Sequence, residues 1–397
     1  MHHLTTYQRI KNGKIFFHHG RFRRELSLWE GVILIVSGTI GAGVLGIPYA
    51  IAQSGVLIGV LSIFGIGLFM MGLNLLIGEV ALRTGKTLQL PGLAKKYLGN
   101  FWGSFMTLMV YLILFGVLVV YIIGEGATLA ALFGGPHVLW STLFFIVGAI
   151  LVASGLRTIE KIDFILLFGI LSIVIFIAAL SLRHVDVSYM KHINIAQVLF
   201  PYGVILFAFH STTAIPEAYS LLKNKGQTFR RAIIYASVIT IVVYAVFSLV
   251  VVGVTGEQTT EIATIGLGKK IGAVMFLLGN LFAFFAMGTS YLMASVAVKD
   301  SLTWDYKVPQ WASLAMVIGI PYIVFLAGIR GFISALDIIG GVFGSIEMIL
   351  IVFIYWKARQ MGHLNKNGYR LHHALLLSIV LLTALSIGAA YSVIKLF

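Results

Sequence analysis

The sequence predicts an all-α, polytopic membrane protein in which eleven helices cross the bilayer. Three observations support this prediction. Apolar residues make up 59% of the 397 residues and charged residues only 11%, whereas a soluble globular chain is about 25% charged. The mean hydropathy is +0.99. Apolar stretches long enough to cross about 30 Å of hydrocarbon cover residues 28–53, 56–80, 102–133, 138–154, 160–182, 194–221, 232–254, 271–298, 309–328, 332–356 and 373–394.

The basic residues divide unequally between alternate loops. With the N-terminus inside, the cytoplasmic segments carry 22 of the 28 Lys and Arg residues, which predicts a cytoplasmic N-terminus and an external C-terminus in the cell membrane. The net charge of +14 is therefore topogenic, and we expect the lipid bilayer rather than nucleic acid as a partner. The predicted organisation is a basic cytoplasmic segment at residues 1–27 and a single transmembrane domain at residues 28–397.

Two of the apolar stretches break in the middle. Span 1 contains Ser-Gly-Thr-Ile-Gly-Ala-Gly-Val-Leu-Gly-Ile-Pro at residues 37–48, and span 6 contains Phe-Ala-Phe-His-Ser-Thr-Thr-Ala-Ile-Pro at residues 207–216. Unpaired backbone groups are costly in hydrocarbon, so a broken helix survives there only where protein or a polar ligand satisfies the freed groups. Helices 1 and 6 are therefore predicted to be discontinuous, and their breaks to form a binding site.

The two breaks occupy matching positions in two halves of the chain. Pro48 follows Gly43 by five residues, and Pro216 follows Ser211 by five. If spans 1–5 and 6–10 are repeats, their odd number inserts the second half upside down, with span 11 at residues 373–394 as an addition. Paired breaks of this kind are the best sequence indication of the substrate site of a secondary transporter.

The chemistry of the breaks suits a zwitterion. The half-helix that begins near Gly43 directs free N–H groups and a positive dipole end at the break, which favours a carboxylate. The half-helix that ends near Phe207 offers free carbonyl groups, which favour an ammonium group. An α-amino acid carries both charges on one carbon, and its side chain would point toward Phe207, Phe209 and span 3.

These two motifs, together with eleven spans, resemble those of the amino acid/auxin permease family, including the bacterial aromatic amino acid permeases. The resemblance covers nearly the whole chain. It implies the LeuT-type fold of the amino acid-polyamine-organocation superfamily and transport by alternating access. It also implies the substrate-binding residues, which by motif are Thr39, Gly41, Ala42, Gly43, Tyr121, Phe207, Ala208, Phe209, His210 and Ser211.

The resemblance leaves the coupling ion open between Na⁺ and H⁺. A Na⁺ site would use the hydroxyls of Thr289 and Ser290 with the carbonyls of Ser37, Ile40 and Ala286. For proton coupling the candidates are Lys161 of span 5, Glu125 of span 3 and His210, because histidine is the side chain whose ordinary charge change falls near neutral pH. Ionisable groups inside a membrane are functional hypotheses by default, and Glu217 and Glu347 could hold a gate closed or carry protons. No cofactor other than a possible Na⁺ ion is expected.

The predicted function is ion-coupled import of a neutral amino acid, expected to be aromatic or large and apolar. We predict no enzymatic activity, because the sequence has no phosphate-binding loop, paired-carboxylate pocket or nucleophile motif outside the membrane. The alternative is an amino acid sensor of the same fold, as in germinant receptor subunits. An ion channel is disfavoured, since there is no repeated selectivity-filter sequence.

Overall fold

The computed structural model describes residues 9–10, 13–18, 21–24, 27–154, 176–177, 179–222, 226–304, 306–362, 364 and 368–395. Before the first helix, the backbone forms three short antiparallel strands, β1 (Arg9–Ile10), β2 (Gly13–His18) and β3 (Arg21–Arg24). Their order is β1-β2-β3, with Lys14 opposite Arg9 and His18 opposite Arg21. This small sheet corrects the all-α prediction for the basic segment, because hydropathy reports spans and gives no signal for a short polar hairpin.

The first apolar stretch forms two helices, α1 (Leu28–Ser37) and α2 (Gly43–Ser54). A capping box starts α1: the Ser27 hydroxyl accepts from the Glu30 N–H and the Glu30 carboxylate accepts from the Ser27 N–H. We call residues 38–42, between α1 and α2, the first break. Most residues of α2 are buried, as expected of a helix that is apolar all round and lies at the centre of a bundle.

The next helices are α3 (Val56–Thr84), α4 (Leu90–Leu98), α5 (Asn100–Phe133) and α6 (His137–Ala153). Gly55 turns the chain from α2 into α3 with a φ of 94°, which favours glycine, and its backbone forms a β-bridge with Ile193. The short α4 is amphipathic and packs against α5. Most of the predicted span 5 lies outside the described residues.

The sixth apolar stretch also forms two helices, α7 (Tyr202–Ala208) and α8 (Ala214–Leu221). We call residues 209–213 the second break. The helical part begins at Tyr202, later than the predicted residue 194, because Ile195–Gln197 forms a 3₁₀ turn and Pro201 precedes α7. The two breaks thus have similar lengths and lie between short helices.

The remaining helices are α9 (Gly226–Thr255), α10 (Ala263–Ile271), α11 (Ala273–Trp304), α12 (Gln310–Leu326), α13 (Phe332–Asp337), α14 (Ser345–Met361) and α15 (Ala374–Ile394). A π-helical segment, Ile338–Gly344, joins α13 to α14 and packs against α7. Glycines at 340 and 341 permit this approach, since a Cβ on Gly340 would lie 2.6 Å from the Phe207 backbone nitrogen.

Six helical segments among the described residues are long and apolar enough to cross a membrane. They are α3, α5, α9 with the turn that follows it, α11, the continuous segment from α13 to α14, and α15. Three shorter apolar helices, α1, α6 and α12, accompany them. The broken helices pack at the centre, where α2 contacts α7 and α9 and where α1 contacts α8 and α9. The chain is therefore a multi-pass helical membrane protein.

Candidate functional site

The two breaks lie against each other. A Cβ added to Gly43 would come within 2.6 Å of the Ala208 Cα, and one added to Gly38 would come within 2.7 Å of the Ala214 Cβ. Both sides of the first break therefore contact the ends of the helices that flank the second break. Glycine at 38 and 43 is what allows this approach, because any larger side chain would push the two segments apart.

A cavity of about 170 Å³ lies at this contact. It is bounded by the first break, by the second break and by one face each of α5, α11 and α14. Its lining residues are Ser37, Gly38, Thr39, Ile40, Gly41, Ala42, Gly43, Val110, Ile113, Leu114, Val117, Tyr121, Phe207, Ala208, His210, Thr213, Ser290 and Glu347.

The first break presents backbone donors to this cavity. Within the break, Ile40 N–H donates to the Val36 carbonyl at 2.8 Å, and donation resumes only with Val44, to the Gly41 carbonyl at 3.3 Å. The N–H groups of Gly41, Ala42 and Gly43 find no acceptor among the residues that the structure describes. Three consecutive free N–H groups at the start of a helix form an anion-binding end.

The second break holds an acidic side chain of another helix instead. His210 Nε2 lies 2.5 Å from Glu347 Oε2, and the Thr212 hydroxyl donates to Glu347 Oε1 at 3.0 Å. Glu347 belongs to the first turn of α14 and is fully buried, whereas the His210 side chain is 15% exposed. A buried carboxyl group needs hydrogen-bond partners of this kind. The cavity is therefore lined both by the free N–H groups and by the carboxyl group of Glu347.

One tyrosine ties the two breaks together. The Tyr244 hydroxyl, from α9, lies 3.1 Å from the Thr39 carbonyl and 2.8 Å from the Ala208 carbonyl. Its ring packs edge-on against Phe209 at 4.9 Å between ring centroids. This one hydroxyl therefore contacts a freed carbonyl at each break: that of Thr39 in the first break, and that of Ala208, the last residue of α7, beside the second break. Sequence reasoning missed Tyr244, because nothing local distinguishes it from other aromatic residues in an apolar span.

An apolar wall completes the cavity. Val110, Ile113, Leu114 and Val117 of α5 face it on consecutive turns, and Tyr121, further along the same helix, lines it together with Ser290 of α11. The wall can surround an uncharged side chain without leaving polar groups unpaired. The sequence analysis indicated only that span 3 faces the site and did not identify these four residues.

The structure brings most of the predicted substrate-binding residues together. Thr39, Gly41, Ala42, Gly43, Tyr121, Phe207, Ala208 and His210 line the cavity. Phe209 and Ser211 are buried behind its wall: the Phe209 ring packs on Tyr244, and the Ser211 hydroxyl accepts from Asn74 Nδ2 at 2.9 Å. The motif of the second break alone does not show which of its residues line the cavity.

Some of the predicted ion-site residues line the cavity, and the others lie on α11 without lining it. Ser37, Ile40 and Ser290 line the cavity, whereas the Thr289 hydroxyl donates to the Phe285 carbonyl at 2.7 Å and lies 3.4 Å from the Ala286 carbonyl. Among the proton-coupling candidates, His210 is at the cavity and Glu125 is buried in α5. Lys161 lies outside the described residues. Away from the cavity, Glu79 and Arg83 form an ion pair one turn apart in α3, at 2.7 Å.

Comparison with protein families identifies the chain. The model of the tryptophan/tyrosine permease family matches residues 24–391. The chain belongs to this family. The resemblance noted from the two break motifs is thereby confirmed, and the permease is a transporter rather than an enzyme.

Relatives and solved structures agree with this assignment. The permease is 27% identical to tyrosine-specific transport system 1 of Haemophilus influenzae over 84% of this chain and 89% of that protein. It is 26% identical to glutamine transporter 2 of Aliivibrio fischeri over 85% and 92% of the two chains. Its fold matches that of MhsT, solved in complex with L-phenylalanine, with a TM-score of 0.63, 15% identity and coverage of 92% and 98%. The Eremococcus coleocola manganese transporter gives a TM-score of 0.65 at 15% identity, covering 92% and 86%. The fold is of the LeuT type.

Proposed function

We propose that the permease imports a neutral amino acid, aromatic or large and apolar, by alternating access driven by an ion gradient. The observation that carries the proposal is the arrangement of charge around the cavity: three free N–H groups of the first break face it from one side and the Glu347 carboxylate from another. A carboxylate at the N–H groups and an ammonium group near Glu347 and the carbonyls of the second break would satisfy both ends.

The side chain of the substrate would lie against α5. Val110, Ile113, Leu114 and Val117, with Phe207 from the end of α7, offer apolar and aromatic contacts and no charge. Such a wall favours an aromatic or large apolar side chain over a charged one. The relative from Haemophilus influenzae is named for tyrosine and the one from Aliivibrio fischeri for glutamine, so the panel of test substrates should contain both.

For the topology, we propose eleven spans in the cell membrane with the N-terminus inside and the C-terminus outside. Spans 1–5 and 6–10 of the domain at residues 28–397 would be inverted repeats, with discontinuous helices 1 and 6 as their counterparts and span 11 outside the repeats. The support is the equal spacing of the two breaks from the prolines that follow them and the excess of basic residues in alternate loops.

The coupling ion is proposed to be Na⁺ or H⁺. In favour of Na⁺, the carbonyls of Ser37 and Ile40 accept no hydrogen bond within the described chain. Ser290, which carries a hydroxyl group, lines the same cavity. Oxygen ligands of this kind suit a hard cation. Thr289 and Ala286 would complete that site from α11. In favour of H⁺, the His210 imidazole and the Glu125 carboxyl are titratable groups at membrane depth.

Uptake by the purified permease in proteoliposomes tests the proposal. Labelled L-tyrosine, L-tryptophan, L-phenylalanine and L-glutamine are supplied under a Na⁺ gradient alone, a proton gradient alone and neither gradient, with protein-free liposomes as the control. We expect accumulation of at least one aromatic amino acid above its external concentration under one of the two gradients. Saturable binding without accumulation under any gradient would contradict transport and favour the amino acid sensor.

A further inference from the structure

The buried carboxyl group of Glu125 stands apart from the other acids of the bundle. Glu125 is fully buried in the C-terminal half of α5, and neither of its oxygens makes a hydrogen bond of normal geometry with the residues that the structure describes. By contrast, the buried acids Glu79, Glu347 and Asp337 have basic or hydroxyl partners. An ionised carboxylate at membrane depth without a partner is strongly disfavoured, so this geometry suits the neutral, protonated acid.

The surroundings of Glu125 are small and apolar. Gly288 of α11 lies against it: a Cβ there would be 3.2 Å from Glu125 Oε1 and 3.8 Å from the Phe144 ring of α6. The adjacent Gly124 and Gly126 pack against α11, α13 and α6 in the same way. The glycines leave room for a carboxyl group and supply no charge to balance it.

The titratable groups on the helices around this turn are engaged elsewhere or distant. They belong to α6, α11 and α13 and are His137, Tyr291, Lys299, Asp300 and Asp337. His137 is hydrogen-bonded to the Ile123 carbonyl, the Tyr291 ring packs edge-on against Phe144, and Asp337 is paired with Lys395. Lys299 and Asp300 lie about three turns along α11 from Gly288. None of them forms an ion pair with Glu125 in the described chain.

A proton is the ligand that fits this position. A metal ion or Na⁺ needs several oxygen ligands at once, whereas Glu125 has only its own two oxygens and the backbone of Gly288 beside it. The described residues also contain no cluster of three His, Asp or Glu side chains that could hold a metal. A single carboxyl group is sufficient to bind and release one proton.

The acid is linked to the cavity through the same two helices that hold it. Tyr121 lies one turn before Glu125 in α5, and Ser290 lies two residues after Gly288 in α11. Both residues line the cavity. A movement that separates α5 from α11 would therefore have two effects at the same time. It would open the wall of the cavity, and it would expose the Glu125 carboxyl group to water.

We infer that Glu125 carries the proton that is coupled to transport. Its carboxylate takes a proton from the outer solution, holds it while the carboxyl group is buried, and releases it to the inner solution when α5 and α11 separate there. The inference rests on the proposed transport function in its H⁺-coupled form and concerns which residue carries the proton.

The test compares coupled and uncoupled transport in three variants. Glu125→Gln is isosteric and cannot release a proton, Glu125→Asp keeps an acid, and Ser141→Ala is the matched control, because Ser141 is also buried at this helix contact with an unpartnered hydroxyl. Each is reconstituted and assayed with labelled L-tyrosine for proton-driven accumulation and, at equal pH on both sides, for exchange with internal unlabelled L-tyrosine. Glu125→Met replaces Glu125→Gln if the latter does not fold.

We expect Glu125→Gln to lose proton-driven accumulation and to keep exchange, with Glu125→Asp and Ser141→Ala retaining both. Accumulation by Glu125→Gln equal to that of the unaltered permease would overturn the assignment, as would accumulation by the unaltered permease under a Na⁺ gradient alone. Loss of both accumulation and exchange in Glu125→Gln would also overturn it, since the residue would then be structural. Absence of transport by the unaltered permease would refute the proposed function instead.

Discussion

The two breaks meet at one cavity but contribute to it in different ways. The first break offers backbone N–H groups between small residues, and Gly43 touches the Ala208 backbone. The second break offers side chains, with His210 and Thr212 holding the buried Glu347. Anion recognition by backbone groups requires close approach and no side chain, whereas cation recognition by a carboxylate requires a residue that must itself be held in place. The two breaks should therefore respond to opposite kinds of substitution.

The largest effect is expected where a side chain is added to the first break. In Gly43→Ala the new methyl group would meet the Ala208 backbone, and overpacking of this kind typically costs about 1–3 kcal/mol. We expect loss of L-tyrosine binding and a lower unfolding temperature. Gly65→Ala in α3 is the control, because no atom of the described residues lies within 4 Å of the Cβ that it would add and Gly65 does not line the cavity. Equal behaviour of the two variants would argue against close contact between the breaks.

Removal of the negative charge of Glu347, which lies beside the second break, should have the next largest effect. Glu347→Gln keeps the shape but loses the negative charge, and hydrogen bonds to charged groups contribute about 1.5–3 kcal/mol. We expect affinity for L-tyrosine to fall by at least about tenfold, measured by radioligand binding in detergent. Thr212→Val removes a single hydrogen bond to Glu347 and should weaken binding less. If Thr212→Val weakened binding as much as Glu347→Gln, the charge of Glu347 would not be the larger contribution to binding, contrary to this prediction.

The smallest effect is expected from the residue that joins the two breaks. Tyr244→Phe removes the hydroxyl that reaches the Thr39 and Ala208 carbonyls, and interhelical hydrogen bonds in membranes contribute about 0.6 kcal/mol on average. We expect a modestly lower unfolding temperature without ligand. Tyr219→Phe serves as the control, since the Tyr219 hydroxyl makes no hydrogen bond within the described chain. A similar change in both variants would mean that the bridge does not hold the breaks together.

The sequence predicted the residues of the first break, but it did not predict the distant side chains that contact the two breaks. Gly41 and Gly43 could be assigned because a run of glycines within an apolar span is a local signal of free backbone. The partners of the second break could not, since Glu347 lies 137 residues from His210 and Tyr244 lies 205 residues from Thr39. Such contacts depend on how distant spans pack, which hydropathy does not encode. The N-terminal sheet was missed because short polar strands carry little signal.

The account depends on both charges of the substrate being recognised at the contact between the breaks, and competition binding tests this most directly. Labelled L-tyrosine is displaced from the purified permease by unlabelled L-tyrosine, by tyramine, which lacks the carboxylate, or by desaminotyrosine, which lacks the amino group. The account predicts that both analogues compete at least about a hundredfold more weakly than L-tyrosine, since each forfeits about 3 kcal/mol of charge-assisted contacts. Competition by either analogue as strong as that of L-tyrosine would contradict it.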